Sequence, residues 1–378
     1  LTDVTGVQTC ALPIFARARD LAGVSPHDLF PVLRMLPAAF VVNAPVSLLT
    51  GFLFTAACAA ARGTPGAVAR VYAGEAIGGA AGGATVTVLL AAGVTDERAF
   101  LVGAACLALS AAPAAGGLRR AAAPLALAVG IAGALFAGAD GRWTRAADLR
   151  AWSRLLPAES LTGRFATPQA VYRLGERAGA RIVQSRESIV ETLPAGAHDA
   201  EVAALHLAAA PHASRVLVTG PGSLGVAQAF LRVPSVREVV WLPPDPAYPA
   251  ALLERLPRGL RPDPARFRAP GREIRAFLSG KGPAFDLIVL HVPDPVSLSL
   301  NRTVSQDFLR LAASRLAEGG VAGVRISGGE NYLGPELARL GASMLETAES
   351  VFRHVMLKPG DESWLLMTDR LSDFSSPD

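Results

Sequence analysis

The stretch RVLVTGPGSLG, residues 215–225, decides the fold of the C-terminal half of this chain. Its first part is a short apolar run, typical of a buried strand, and Gly220 and Gly222 then allow a tight turn into a helix. Bare glycine backbone next to a helix N-terminus favours a polar or anionic ligand. A tight turn without any ligand explains the same glycines equally well, so both interpretations stay open.

A strand-then-helix rhythm continues on the C-terminal side of this stretch. Apolar runs predict three further strands, REVVWLP (237–243), FDLIVLHV (285–292) and GVAGVRIS (320–327), with helical runs between them. This alternation predicts a parallel, doubly wound sheet with helices on both faces, and the segments HVMLKPG and SWLLMTD predict a closing strand pair. In such sheets ligands bind outside the carboxyl ends of the strands, where the strand order reverses.

The strand at 285–290 ends in the sequence HVPDP, which places His291 and Asp294 at this predicted ligand-binding edge. A histidine can accept a proton near neutral pH, and an aspartate attracts a cation. Alternatively, Asp294 caps the loop before Pro295 and His291 packs at the strand end. His206 lies in the apolar helical run ALHLAAAP, which favours a core or capping role over a ligand role.

The first 140 residues have a different chemistry, since charge is nearly absent over long windows and the mean hydropathy of the chain is +0.35. Four uncharged windows each approach the ~20 residues that cross a bilayer. They are Met35–Ala61, Ala76–Thr95, Ala99–Leu118 and Ala121–Ala139. We predict four transmembrane helices within residues 29–140, an interfacial linker at 141–157 and a small β-rich subdomain at 158–210.

The arginines that flank these windows weakly place the long C-terminal region in the cytoplasm. We therefore expect a multi-pass protein of the bacterial inner membrane in contact with the lipid bilayer. Glu75, near the start of the second window, supports a transport role, although an interfacial glutamate explains it as well. Residues 1–14 fit nothing downstream, and we interpret them as non-native read-through joined to a longer native protein.

Composition argues against several other classes. The net charge of +4 comes from scattered arginines, so a nucleic-acid partner is not expected. The three cysteines have no metal or disulfide spacing, so neither a metal site nor a disulfide framework is predicted.

These segments, taken together, resemble the membrane-fused branch of the spermidine synthase family. The resemblance runs from about Leu29 to Asp369 and is carried by these segments: VYAGEAIGGAAGG (71–83), HLAAAPHASRVLVTGPGSLG (206–225), FDLIVLHVPDP (285–295), SGGENYLGPEL (327–337) and KPGDESWLL (358–366). It implies a Rossmann-like, class I methyltransferase-like domain at 211–378 and, in many family members, a homodimer. The implied reaction moves an aminopropyl group from decarboxylated S-adenosylmethionine, as co-substrate and not as a tightly bound cofactor, to a polyamine such as putrescine.

On the donor side, the resemblance places Gly220 and Gly222 on the family's glycine-rich turn. The acidic residue expected just after those glycines is Ser223 here, and the acidic residue expected after the second strand is matched most nearly by Asp245. Near the adenine, Glu273 is the closest carboxylate.

On the acceptor side, the catalytic carboxylate is replaced by His291, while Asp294 is kept. The resemblance then implies that Asp294 holds the amine and that His291 is the base. Asn301, Arg302, Glu330, Asn331 and Tyr332 follow strand ends and either line the same crevice or fix its loops.

Three functions follow from this pattern. The first is a membrane-anchored aminopropyltransferase. The second is a catalytically degenerate nucleoside-binding or scaffold domain, favoured by the missing carboxylates. The third is a sensor attached to a transporter. The sequence leaves open whether the chain is an enzyme.

Overall fold

The computed structural model describes residues 32–63, 65–114, 117–185, 188–295, 297–329, 334–360 and 362–370. Two compact units make up the chain, one up to Ala158 and the other from Glu159 onward. The interpretation of residues 1–14 and the site predictions at Glu330, Asn331 and Tyr332 lie outside the described residues.

The first unit is helical. Its helices are α1 (Val32–Ala60), α2 (Ala67–Ala91), α3 (Asp96–Ala114), α4 (Leu118–Phe136) and α5 (Ala139–Trp152). The predicted interfacial linker thus forms most of helix α5. Its Trp152 is buried, and the indole Nε1 donates to the carbonyl oxygen of Pro157 at 3.1 Å.

Three helices of this unit are long and apolar enough to cross a membrane, at Ala39–Ala60, Ala67–Ala91 and Arg119–Phe136. Helix α3, which covers most of the third predicted window and carries Asp96, Glu97 and Arg98 in its first turn, is not one of them. Helix α2 begins nine residues before the predicted window at Ala76 and therefore includes Arg70 and Glu75. The structure thus supports three of the four predicted spans as candidates.

The second unit opens with a four-stranded antiparallel meander, β1 (Leu161–Ala166), β2 (Val171–Arg177), β3 (Ala180–Ser185) and β4 (Ser188–Leu193). Helix α6 (Ala197–Ala209) follows it. We call the four strands the β-subdomain. Its inward face is apolar, with Phe165, Tyr172 and Leu174 in the core of the unit.

A seven-stranded sheet forms the rest of the unit. Its strands are β5 (Arg215–Thr219), β6 (Glu238–Leu242), β7 (Phe267–Arg268), β8 (Phe285–Leu290), β9 (Leu316–Ser327), β10 (His354–Lys358) and β11 (Glu362–Thr368). The spatial order is β10-β11-β9-β8-β5-β6-β7, and β11 pairs antiparallel with both β9 and β10 while all other pairs are parallel. The order reverses between β5 and β8, which is the switch point of a Rossmann-like doubly wound sheet.

Helices pack on both faces of this sheet. They are α7 (Leu224–Leu231), α8 (Tyr248–Arg255), α9 (Ile274–Ser279), α10 (Leu298–Asn301), α11 (Gln306–Ala313) and α12 (Pro335–Glu349). Two clusters of buried apolar residues result, one on each side of the central strands. Val216 and Val218 belong to one cluster and Leu217 to the other, as expected for a strand buried on both faces. The predicted Rossmann-like fold is therefore present.

Candidate functional site

The glycine turn, residues 220–222, packs directly against the end of β8. The backbone N–H of His291 donates to the Thr219 carbonyl oxygen at 2.8 Å. A Cβ added at Gly220 would lie 1.8 Å from the His291 carbonyl oxygen, and both Gly220 (φ +124°) and Gly222 (φ +70°) have positive φ. Only glycine accepts this combination of dihedral angle and close approach. The turn and His291 thus meet at the switch point of the sheet.

Ser223, predicted to contact the donor, has two internal partners. Its hydroxyl donates to the Gly220 carbonyl oxygen at 2.7 Å and accepts from the indole Nε1 of Trp241 at 3.0 Å, and the residue is fully buried. The side chain therefore closes the glycine turn and fixes it to strand β6. Its predicted role in donor binding stays a prediction.

Asp245 follows β6 and joins the β-subdomain to the sheet. Its Oδ2 accepts from the Thr167 hydroxyl at 2.5 Å and from the Tyr172 hydroxyl at 2.9 Å, while Oδ1 accepts from the Ala247 N–H at 3.0 Å. A carboxylate offers about four lone-pair positions, so one position on Oδ1 remains for a ligand hydroxyl. The predicted donor contact of Asp245 would have to use that position.

His291 is mostly buried, with 16% of its side chain exposed. Its Nδ1 lies 3.1 Å from the Pro221 carbonyl oxygen, and its Nε2 lies 3.9 Å from Oε1 of Glu362 on β11. Burial lowers the pKa of His291 below its usual value, against the opposing effects of the Glu362 carboxylate and the Pro221 carbonyl. The neutral imidazole is therefore favoured at this strand end.

Asp294 is tied to the neighbouring strand end. Its Oδ1 accepts from the backbone N–H of Ser327, the last residue of β9, at 2.9 Å. This contact connects the loop after β8 to the end of β9, whereas the sequence alternative was a cap of the loop before Pro295. The predicted amine contact of Asp294 and the predicted base role of His291 stay predictions.

Sequence-predicted site residues are spread along the sheet edge. Asp245 follows β6, the glycine turn follows β5 and His291 follows β8, so strand β5 separates Asp245 from His291. Glu273 accepts from the Ala276 N–H at 2.9 Å and caps helix α9. The backbone carbonyl oxygen of Arg302 accepts from Arg275 at 2.6 Å, and the predicted roles of Asn301 and Arg302 stay predictions.

Two of the cavities among the described residues have volumes of about 530 Å³ and 200 Å³. The larger one is lined by Pro295, Asn301 and helix α12, and the smaller one by Gln228 and the loop that holds Arg261. Neither is lined by the glycine turn. The candidate site is therefore defined by the polar side chains beside the glycine turn.

Sequence reasoning missed two carboxylates at the N-terminus of α7. Glu191 on β4 is buried, with its Oε2 3.3 Å from the backbone nitrogen of Leu224. Asp199 on α6 lies so close that its Oδ2 would be 2.5 Å from a Cβ at Gly225. Burial raises the pKa of Glu191 well above its usual value. The hydrogen bond from the Leu224 N–H opposes this rise, and the charge of Asp199 adds to it. We call Glu191 and Asp199 the carboxylate pair.

Tyr248 adds a buried polar group to this side of the site. Its hydroxyl has no hydrogen-bond partner among the described residues, although only 3% of the residue is exposed. Burial raises the pKa of Tyr248, and the charges of Glu191, Tyr172 and Asp245 raise it further. Tyr248 therefore lies within electrostatic reach of both acidic residues. A signal for Glu191 existed in the sequence, because SIVETL places Glu191 on the same strand face as the buried Leu193.

His206 is a core residue, one of the two roles that the sequence favoured. Its Nδ1 lies 2.7 Å from the Val202 carbonyl oxygen, and its ring meets Trp364 edge-on at 4.5 Å. The pKa of His206 is lowered to about 4, mainly because the ring is buried. The hydrogen bond to the Val202 carbonyl opposes this shift, and the charge of His291 adds to it. It packs so tightly that a Cβ at Gly323 would lie 2.1 Å from its Nε2.

No protein-family model and no curated protein matches this chain. Among solved structures, it is similar to a spermidine synthase from Thermotoga maritima, with TM-score 0.45, 13% identity and coverage of 58% of this chain and 76% of that chain. A spermidine synthase in complex with the transition state analogue AdoDATO gives TM-score 0.44, 13% identity, and 57% and 74% coverage. Human methyltransferase-like protein 13 in complex with SAH gives TM-score 0.36, 21% identity, and 48% and 84% coverage.

Proposed function

We propose that this chain is a membrane-anchored, spermidine synthase-like transferase that takes a decarboxylated S-adenosylmethionine-type donor at the glycine turn. The observation that carries the proposal is the carboxylate pair. Glu191 and Asp199 stand beside the turn, and neither has an ion-pair partner among the described residues. Burial favours the protonated form of Glu191, and a cation beside it would stabilise the carboxylate form, so we propose that a cationic ligand binds at this position.

The chemistry of the donor fits this charge. Decarboxylated S-adenosylmethionine carries a sulfonium and a primary ammonium but no carboxylate. Glu191 would meet the positive end of such a donor, while the carboxylate of S-adenosylmethionine would be repelled there. Glu191 would thus supply, from strand β4, the negative charge that Ser223 does not supply after the glycines.

The proposed reaction is a displacement at carbon. The acceptor nitrogen forms a bond to the methylene beside the sulfonium, the C–S bond breaks, and methylthioadenosine leaves with the electron pair. The acceptor nitrogen attacks as a neutral amine and becomes a secondary ammonium, which stays protonated or releases its proton to solvent. Positioning of the two reactants at the switch point is what the fold would contribute.

Membrane anchoring belongs to the same proposal. Helices α1, α2 and α4 contain the three candidate spans, and large apolar side chains on them are exposed. Phe40, Phe52, Ile77 and Val129 each expose 70–72% of their surface. A contiguous apolar surface of this kind is typical of contact with lipid.

A second candidate is a nucleoside-binding domain that does not transfer. One observation favours it, the engagement of the carboxylates on the acceptor side. Asp294 accepts from the Ser327 N–H, and Glu362 is paired with Arg325. A dicationic acceptor such as putrescine would need one of these groups to exchange its partner.

The test uses the full chain in detergent with decarboxylated S-adenosylmethionine and putrescine, and chromatography that detects methylthioadenosine and spermidine. We expect product, and we expect Glu191→Gln to weaken donor binding about tenfold or more, since a charged hydrogen bond contributes about 1.5–3 kcal/mol. Glu254→Gln, at a glutamate with 79% of its side chain exposed, is the matched control and should change nothing.

Each outcome separates the candidates. Donor binding that Glu191→Gln weakens, without product, supports the domain that binds and does not transfer. Absence of donor binding in the wild-type chain overturns both candidates.

A further inference from the structure

Three metal-ligating side chains from different elements meet at the carboxyl end of β8. They are His198 on α6, His291 after β8 and Glu362 on β11, and we call them the histidine–glutamate cluster. Nε2 of His198 lies 3.1 Å from Oε2 of Glu362, and Nε2 of His291 lies 3.9 Å from Oε1. All three potential ligand atoms lie within 4.8 Å of one another. The sequence analysis did not predict this cluster because its three residues are far apart along the chain.

The hydrogen bond of His291 fixes which nitrogen is available. Nδ1 lies 3.1 Å from the Pro221 carbonyl oxygen, which can only accept, so Nδ1 carries the proton in the neutral ring. Nε2 then holds a lone pair and faces a carboxylate oxygen at 3.9 Å, too far for a hydrogen bond. A cation between these two lone-pair atoms would relieve their mutual repulsion. An imidazole ligand that donates its other nitrogen to a carbonyl is the usual arrangement at metal centres.

One carboxylate oxygen of Glu362 is paired with an arginine, and the other is available to bind a ligand. Arg325 Nε pairs with Oε1, which fixes the carboxylate in place. Oε2 is buried and has no hydrogen bond within the described part of the chain, although it points toward His198. A buried carboxylate oxygen without a hydrogen-bond donor is energetically unfavourable, and a cation beside it would stabilise it.

The spacing of the cluster fits a small divalent ion. Zinc binds imidazole nitrogen at about 2.0–2.1 Å and carboxylate oxygen at about 2.0–2.2 Å, so ligand atoms at a tetrahedral centre are roughly 3.3 Å apart. The 3.1 Å separation matches this value, and the 3.9 Å separation needs a shift of about 0.6 Å relative to it. The 3.9 Å distance joins His291 and Glu362, so one of these two side chains would have to supply that shift.

The ligand types and nearby charges select the class of metal. Arg325 offsets most of the Glu362 charge, so the two imidazoles provide most of the binding. Imidazole suits zinc, cobalt, nickel and copper, whereas magnesium and calcium need several oxygen ligands. Three protein ligands also leave a fourth position open, on the side where His198 reaches solvent.

We propose that His198, His291 and Glu362 form a binding site for a divalent transition metal of the zinc type. The inference goes beyond the proposed function and does not depend on it, since none of the three ligands belongs to the glycine turn or the carboxylate pair. A metal on Nε2 occupies the lone pair of His291. The cluster therefore gives His291 a ligand role in place of the base role that the sequence predicted.

The test measures metal binding to the full chain, purified in detergent without a polyhistidine tag and stripped with a chelator. Zinc is titrated by calorimetry, and cobalt by its visible absorption, which reports the coordination geometry. We expect one equivalent of metal and an absorption band typical of four- or five-coordinate cobalt with nitrogen and oxygen ligands.

Variants assign the site. His198→Ala should weaken binding by about 100-fold, since loss of a direct ligand exceeds the 10–100-fold cost of losing an outer partner. It is the first choice because His198 is largely exposed and its loss should not affect folding. Glu362→Gln is the second variant. His212→Ala, at an exposed histidine outside the cluster, is the matched control and should bind as the wild type does.

Two results would overturn the inference: no metal binding by the wild-type chain, or equal affinity in the wild type, His198→Ala and Glu362→Gln. Neither titration contains a nucleoside. A failure here is therefore distinguishable from a failure of donor binding.

Discussion

At the scale of single residues, two buried carboxylates of the site differ in their partners. Asp245 accepts three hydrogen bonds, from Thr167, Tyr172 and Ala247. Glu191 has long contacts of 3.3–3.4 Å from its carboxylate oxygens to the Leu224 nitrogen and a backbone hydrogen bond from Gly225, with the like charge of Asp199 nearby. The pKa of Glu191 is accordingly raised by burial. A cationic ligand would therefore change the charge of Glu191 more than that of Asp245, whose carboxylate already accepts three hydrogen bonds.

The buried imidazole of His206 makes the unfolding free energy depend on pH. Its pKa is about 4 in the folded chain and 6.5 as the ordinary value, so the unfolded chain binds more protons between these values. Stability from this group is fully present above pH 6.5 and is lost as the pH falls toward 4, by about 3 kcal/mol. We expect His206→Gln to remove this part of the pH dependence in chemical denaturation followed by tryptophan fluorescence.

His212→Gln is the control for this prediction, because His212 is exposed. The carboxylates that titrate in the same range are common to both variants, so the comparison isolates His206. The same pH dependence of the unfolding free energy in His206→Gln and His212→Gln between pH 4 and 6.5 would contradict the prediction. It would show that His206 is protonated in the folded chain.

At the scale of elements, the turn between β5 and α7 depends on Gly220. An added Cβ would overlap the His291 carbonyl oxygen at 1.8 Å, and φ is +124°. We expect Gly220→Ala to destabilise the second unit by about 3 kcal/mol, through strain and displacement of the β8 end. The melting temperature would fall by roughly 6–12 °C in calorimetry.

Gly259→Ala is the matched substitution, because a Cβ at Gly259 meets nothing within 4 Å. It should change stability by less than about 0.5 kcal/mol. Similar melting temperatures for the two variants would mean that the close approach of the glycine turn to β8 is absent in solution.

Elements were predictable to the extent that their signals are local. Strands β5, β6, β8 and β9 follow from continuous apolar runs, since a strand in a parallel sheet is buried on both faces. Strand β7, at Phe267–Arg268, has only two residues and offers no such pattern. The contact of Glu191 with Leu224 links positions 33 residues apart. No local pattern encodes a contact of that range, so the carboxylate pair and the histidine–glutamate cluster needed the three-dimensional structure.

At the scale of the whole molecule, the helical unit separates from the Rossmann-like unit in chemistry as well as in sequence. The candidate spans in α1 and α2 bury none of their most apolar window, and the span in α4 buries 6% of it. We expect the full chain, expressed in bacteria, to remain in the membrane pellet after carbonate extraction. Recovery in the soluble fraction, with the chain intact, would contradict the membrane anchor.

Whole-molecule function was only partly predictable. The Rossmann-like sheet and its switch point follow from the order of strands and helices, which the sequence displays directly. The charge of the site does not follow from that order. The sequence resemblance implied carboxylates at positions where this chain has Ser223 and His291, whereas the acidic residues Glu191 and Asp199 reach the site from the β-subdomain and from α6. Charge at a site is a property of the folded surface and not of one motif.

The most direct test of this account compares the dissociation constants of decarboxylated S-adenosylmethionine and S-adenosylmethionine by calorimetry on the full chain. If the carboxylate pair faces the donor, the decarboxylated donor binds at least about tenfold more tightly, and Glu191→Gln narrows the gap. Equal affinities for the two nucleosides, or tighter binding of S-adenosylmethionine, would contradict the account.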